Sequence, residues 1–372
     1  MHDGSLSTTR KMQVTEQRQK GALNLLRNCI DVQPGQSVLL VVEPDDSFYN
    51  SDVVDIVEYE AKQLGADISI VKPALIDGPE AFPDSLANEV NESNHTIFLS
   101  RIGDNIRFTR IRGRGSKTIC YALDADFLGS EFCTMPHDGM QTMLDNLLDD
   151  MDSASEWRIT CPLGTKLTGT FQNKRSRRTI KDNAFTLGTF PIVIIPPIPC
   201  DTMNGRAVIT HWLMATSNRH YEPSTLILDQ PVTVFIENGK ILDFEGDDAT
   251  ITNVRKHYQH VAGLFDIEPY NIHSWHAGVN SMTYYPRPAM ENIEHWGAVA
   301  FASPRYTHFH TCGDYAPGEI AWSMFDTTIY VDNEKYWEDG RFVYLERLTL
   351  ENHSVNSTLQ NLARTNKYIG ID

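Results

Sequence analysis

Apolar residues recur at helical spacing in EQRQKGALNLLRNCI, residues 16 to 30, which predicts a helix. A turn at Pro34-Gly35 follows, and then a continuous apolar strand from Ser37 to Val42. A strand apolar on both faces belongs inside a parallel sheet. SDVVDIVEYEAKQLG, residues 51 to 65, reads as a helix with Gly65 past its end. ADISIVKP is the next strand, and HTIFLSR (95 to 101) and SKTICYAL (116 to 123) predict two more. Pro136 to Met151 reads as a helix, and Asp149 to Ser155 as a polar joint. The first part of the chain is therefore β-α-β, with right-handed crossovers expected. No GxGxxG follows the first strand, which argues against a dinucleotide site.

From Glu156 the pattern changes. WRITCPLGTKLTGTF, FPIVIIPP, RAVITHWLM, STLILDQPVTVFIENGKILDFEG and RFVYLERLTL are rich in β-branched and aromatic residues. Asn238-Gly239 is a strong hairpin turn, and one helix, Ala249 to Gly263, interrupts the strands. The predicted fold class is α/β plus α+β. A Rossmann-like N-terminal α/β domain over residues 20–150 is followed by a strand-rich α+β C-terminal domain over 151–372, which carries the chemistry.

Composition narrows the function. A chain of 372 residues, 41% hydrophobic and 22% charged, is ordinary for a globular protein and long enough for two domains. The longest apolar run, Pro191 to Pro199, is too short to span a bilayer, which takes about 20 residues. MHDGSLSTTRKMQ lacks the apolar core of a secretory signal. The net charge of −17 opposes binding to nucleic acid or to an anionic membrane. Two basic runs, Arg101 to Arg114 and Lys174 to Arg178, are local exceptions, read as solvated faces or as a site for an anionic group. The six cysteines lie far apart with no CxxC, as expected of reduced thiols in a cytoplasmic protein.

The candidate chemistry concentrates between Asn271 and Asp326. Five of the thirteen histidines fall between His273 and His310, among Glu291, Glu294 and Asp314, with Glu319 and Asp326 just beyond. Imidazole and carboxylate are the usual ligands of a divalent ion that does chemistry. His308 and His310 are separated by one residue, so on a strand both rings share a face and can reach one ion. The alternative is a loop-rich end of a β domain whose histidines make surface hydrogen bonds.

Several stretches, in order, resemble the aminopeptidase T-like metallopeptidases and the non-haem iron dihydroxypyridine dioxygenases that share their fold. These are ALNLLRNCIDVQPGQSVLLV with EAKQLGADI, NAFTLGTFPIVIIPP with NGRAVI, LDQPVTVFIENGKILDFEG, SWHAGVN, HFHTCGDY and WSMFDTTIYVDN. The resemblance covers most of residues 20 to 345 and implies a metal centre. HFHTCGDY is similar to the segment that supplies a metal histidine and, seven residues later, a tyrosine, so His308 and Tyr315 match. WSMFD is similar to the segment that supplies His-x-Asp, so Asp326 matches but Met324 stands where the histidine would be. Thr189 and Ser274 stand where the family has glutamates. With those anions missing, a two-ion site is poorly supplied. The resemblance leaves one ion, held by His276 or His273, His308 or His310, and Asp326, with His310 substituting for the histidine lost at 324.

Three readings follow. The first is a mononuclear Fe(II) dioxygenase that opens a hydroxylated aromatic or N-heteroaromatic ring such as a dihydroxypyridine, since two histidines and one carboxylate with open positions suit that chemistry. Its partners are the small aromatic substrate and O2. His310, Tyr315 and Glu319 are its candidates for proton transfer. His273, Trp275 and Trp296 are its candidate substrate pocket, with core packing the alternative for the tryptophans. The second is a Zn-, Co- or Mn-dependent aminopeptidase or amidohydrolase, and the third a metal-free relative with a binding role. The resemblance further implies a homodimer or higher homo-oligomer.

Overall fold

The computed structural model describes residues 15–107, 109–113, 115–171, 187–215, 221–314, 316–348, 353–362 and 365–371. Tyr315 and the run Lys174 to Arg178 lie outside the described residues. The protein is a mixed α/β structure with three sheets and, among the described residues, ten α-helices. None of those helices is long and apolar enough to cross a membrane.

The first sheet contains β1 (Ser37–Val42), β2 (Asp67–Val71), β3 (His95–Leu99), β4 (Ser116–Cys120) and β7 (Gly188–Phe190), all parallel, in the order β2-β1-β3-β4-β7. The apolar run of β1 is buried from Val38 to Val42, as its central place between β2 and β3 requires. The helix Ser51–Gln63 starts at Asn50, whose side chain accepts from the Asp52 amide. The segment expected as one helix over 16 to 30 is α-helical only over Glu16–Leu23. It widens into a π-turn over Asn24–Cys29, where Leu25 and Leu26 are buried. β7 comes from beyond residue 151, so the parallel sheet draws on both parts of the chain.

Two antiparallel sheets account for the remaining strands. One contains β5 (Glu156–Thr160), β6 (Lys166–Thr170), β9 (Asn204–Ile209), β12 (Val232–Glu237), β13 (Lys240–Glu245), β17 (Thr328–Val331) and β18 (Glu334–Trp337). Asn238 and Gly239 join β12 to β13 with φ of 48° and 71°, the left-handed pair that a tight hairpin turn needs. The other contains β8 (Ile198–Pro199), β10 (Trp212–Met214), β11 (Thr225–Ile227), β14 (Ile272–Ala277), β15 (Tyr306–Cys312) and β16 (Glu319–Phe325), in the order β11-β10-β16-β15-β14-β8. β15 lies between β14 and β16 and is buried at every residue.

Because side chains alternate along a strand, β15 presents Tyr306, His308 and His310 on one face and Thr307, Phe309 and Thr311 on the other. Phe309 packs with Trp157, Trp275, Trp322 and Met324 in a core shared by the antiparallel sheets. Tyr306 packs with Trp212, Trp296 and the residues of the parallel sheet in a second core. The histidine face of β15 is therefore the face toward the parallel sheet.

Candidate metal centre

Strand register brings three histidines together. His276 on β14 lies directly opposite His308 on β15, and Ser274 lies opposite His310. His308 and His310 share a face by alternation. The result is a cluster whose ligand atoms all lie within 4.8 Å of one another. His276 Nε2 is 2.7 Å from His308 Nε2 and 2.8 Å from His310 Nε2. All three side chains are buried, at 5% exposure each.

The back of the cluster orients it. Glu319, at the start of β16, is 2% exposed, and its Oε1 lies 2.6 Å from His310 Nδ1. A carboxylate there holds the proton on Nδ1 and turns the bare Nε2 toward the other two rings. The Glu319 carbonyl in turn accepts from the Tyr221 hydroxyl at 2.7 Å. Tyr306 stacks on His308, with ring centres 5.4 Å apart and planes 20° apart, which fixes that imidazole.

Burial pushes the His276 and His308 rings well below the usual histidine range, and the neighbouring histidines and the charge of Arg107 push them the same way. They are neutral at physiological pH, so their nitrogens are available as ligands. Proton counting then exposes a deficit. With the His310 proton on Nδ1, one hydrogen on His276 Nε2 would have to serve both neighbouring Nε2 acceptors. His308 Nδ1 also finds no partner among the described residues. A cation among the three nitrogens removes the deficit. Two metal–nitrogen bonds of about 2.1 Å at a right angle separate their nitrogens by about 3 Å, close to the 2.7 and 2.8 Å found here; the third pair, within 4.8 Å, has to lie inside the about 4.2 Å that two such bonds can span. The residues fit one ion.

Several expected site residues are placed elsewhere. Asp326 is not in the cluster: its two oxygens take Arg305 Nε and a terminal Arg305 nitrogen at 2.7 Å each, so the expected ligand is engaged in a bidentate ion pair. Met324 lies opposite Thr307, on the face away from His308, and is buried in the other core. A histidine at 324 would not reach the cluster. Ser323 is the β16 residue opposite His308. His273 sits at a register shift of β14, and its Nε2 meets the Cys312 carbonyl oxygen at 2.8 Å, so it faces away from the ion site. Trp275 is fully buried with its ring 5.4 Å from Trp157 and opposite Phe309, on the face away from His276; it is core, not pocket wall. Trp296 packs against Trp212 and Tyr306, one ring removed from His308, and its indole nitrogen donates to the Ile369 carbonyl. Glu319 stands behind His310 rather than in the space between the rings. Thr189 is on β7, where its hydroxyl donates to the Ile192 carbonyl.

Tyr306 is the site neighbour that residue types alone miss, although its spacing of two from His308 is a usable signal. The basic run Arg101 to Arg114 contributes Arg107, 6% exposed and in an ion pair with Asp104, whose charge reaches the cluster. Asp104, held above the usual carboxylate range by burial, also accepts from Tyr121 at 2.7 Å.

No protein-family model and no curated protein matches this chain. Solved structures do. The structure of 2,5-dihydroxypyridine dioxygenase from Pseudomonas putida KT2440 is similar over 88% of this chain and 97% of that one, with a TM-score of 0.59 at 13% identity. Wild-type AmpT from Thermus thermophilus, an aminopeptidase T, is similar over 88% of this chain and 99% of that one, with a TM-score of 0.50 at 11% identity. The relationship is a distant one at the level of fold.

Proposed function

We propose that this protein is a mononuclear metal-dependent enzyme that holds one Fe(II) on His276, His308 and His310 and opens a hydroxylated aromatic or N-heteroaromatic ring of the dihydroxypyridine kind with O2. The observation that carries this reading is the convergence of three buried Nε2 atoms, one of them on a ring backed by a buried carboxylate. The ligand set differs from the one that resemblance implies: a third imidazole takes the place of the carboxylate. One Fe(II) there supplies Lewis acidity, open coordination positions and redox chemistry toward O2.

The chain's own residues do the rest. The three rings are buried, so little bulk water reaches their nitrogens. Glu319 backs His310 at 2.6 Å and positions its ring. The positive charge of Arg107, felt at His276 and His308, favours an ionised ring hydroxyl beside them. Hydrolysis on the AmpT pattern is the second reading. Thr189 and Ser274, where two-ion relatives need anions, weigh against it.

The test is metal content and turnover together. Anaerobic loading should give about one iron per chain, as one three-ligand site holds one ion. Oxygen uptake should follow with 2,5-dihydroxypyridine, gentisate or catechol, and His308→Ala should abolish both. Release of amino acid from a leucyl amide under Co(II) or Zn(II), lost in His308→Ala, with no oxygen uptake on any ring, would overturn the reading.

A further inference from the structure

A cavity of about 830 Å³ opens beside β4 and β7, and none of the three histidines lines it. That volume lies within the about 300–1,000 Å³ typical of small-molecule sites. Its lining is selective in charge. In a chain with 49 acidic and 32 basic residues, the described residues around it include Arg110, Lys117 and His137 and no aspartate or glutamate.

Among the described residues, no ion pair consumes the cations. Lys117 Nζ donates to the carbonyls of Gly115 at 3.0 Å and Gly113 at 3.4 Å, which leaves the third ammonium hydrogen uncommitted. Among the described residues no carboxylate pairs with Lys117 or Arg110. Burial lowers the Lys117 ammonium from its usual value, the cost of a cation that lacks a counter-charge. His137, buried beside Phe190 and kept neutral by burial, adds a ring that can donate or accept. The other walls are apolar: Ile111, Leu144, Leu187 and Ile192 to Ile194. Arg110 and Lys117 belong to the basic stretch that stands out in the sequence at Arg101 to Arg114 and just after it.

We propose that this cavity is a second binding site, separate from the histidine cluster, for a small organic anion whose carboxylate or phosphate meets Arg110 and Lys117 and whose apolar body lies against Ile111, Leu144 and Ile192. A cationic pocket in a strongly acidic protein attracts an anion at short range against the repulsion of the net charge, and the apolar wall favours an organic body over a bare inorganic ion.

Calorimetric titration of the full chain with benzoate, phenyl phosphate, inorganic phosphate and neutral benzamide tests it. One organic anion binds at one site per chain, and the better of benzoate and phenyl phosphate identifies the head group. Benzamide and inorganic phosphate bind at least about tenfold more weakly, because each lacks one half of the recognition. Arg110→Gln and Lys117→Gln each weaken the organic anion about tenfold, while Lys117→Arg restores it. His308→Ala, which disables the proposed ion site, leaves this binding unchanged, so failure of one proposal is read separately from failure of the other. Loss of binding in His308→Ala, wild-type binding by both glutamine variants at unchanged melting temperature, or equal binding of benzamide would each overturn the inference.

Discussion

Glu319 Oε1 lies 2.6 Å from His310 Nδ1, with both side chains buried on neighbouring strands. The contact decides which nitrogen of His310 faces the other two rings. Carboxylates in this position commonly tune metal affinity by about 10–100-fold. Glu319→Leu is therefore expected to weaken Fe(II) or Zn(II) by that factor in chelator competition, whereas Glu319→Gln, which keeps an acceptor oxygen, should lose less. Equal affinity in the leucine variant would remove Glu319 from the site.

Asp326 separates the structural reading from the sequence reading. It pairs with Arg305 across the end of the β15–β16 hairpin, next to the Tyr306–Phe325 pair. Asp326→Asn should leave metal content unchanged and lower stability by about 1 kcal/mol, the scale of a partly exposed ion pair. Loss of the ion in that variant, measured by mass spectrometry of the metal, would return Asp326 to the ligand set.

Met324→His restores the histidine that the resemblance implies, but on the wrong face. Position 324 points into the core of Phe309 and Trp322. No gain in metal affinity is expected, and burying an unpartnered imidazole should cost about 1–3 kcal/mol in urea unfolding. Tighter metal binding would mean that β16 is shifted by one residue.

His257 gives a pH signature away from the site. Burial, aided by His260, lowers its ring to about 4, and its Nε2 has no partner among the described residues. A base whose pKa is lower folded than unfolded binds fewer protons when folded, so stability is lost as pH falls from about 6.5 toward the folded value, by up to about 1.4 kcal/mol per unit. His257→Phe removes that uptake. Its stability relative to the parent should rise between pH 7 and pH 5 in denaturant titrations; a constant difference would show that His257 is not depressed.

Much of this was legible in the residues. The continuous apolar run at β1 signalled a buried parallel strand, the Asn238-Gly239 pair marked its hairpin, and the spacing of His308 and His310 placed both rings on one face. These are local facts, set by periodicity and by the backbone angles a residue tolerates. Which rings meet was not local. His276 joins the cluster because the pairing of β14 with β15 puts it opposite His308, and His273, three residues earlier, is lost to a register shift. Met324 and Ser323 exchange roles through a single step of register, since one residue moves a side chain from one face of a sheet to the other. Asp326, chemically fit to bind a metal, is claimed by Arg305, a competitor brought beside it only by the folded hairpin. The sequence by itself determined many of the strands and the concentration of imidazole and carboxylate in one stretch; pairing register and competition among charged neighbours, which depend on residues far apart in the chain, decided which of those side chains converge.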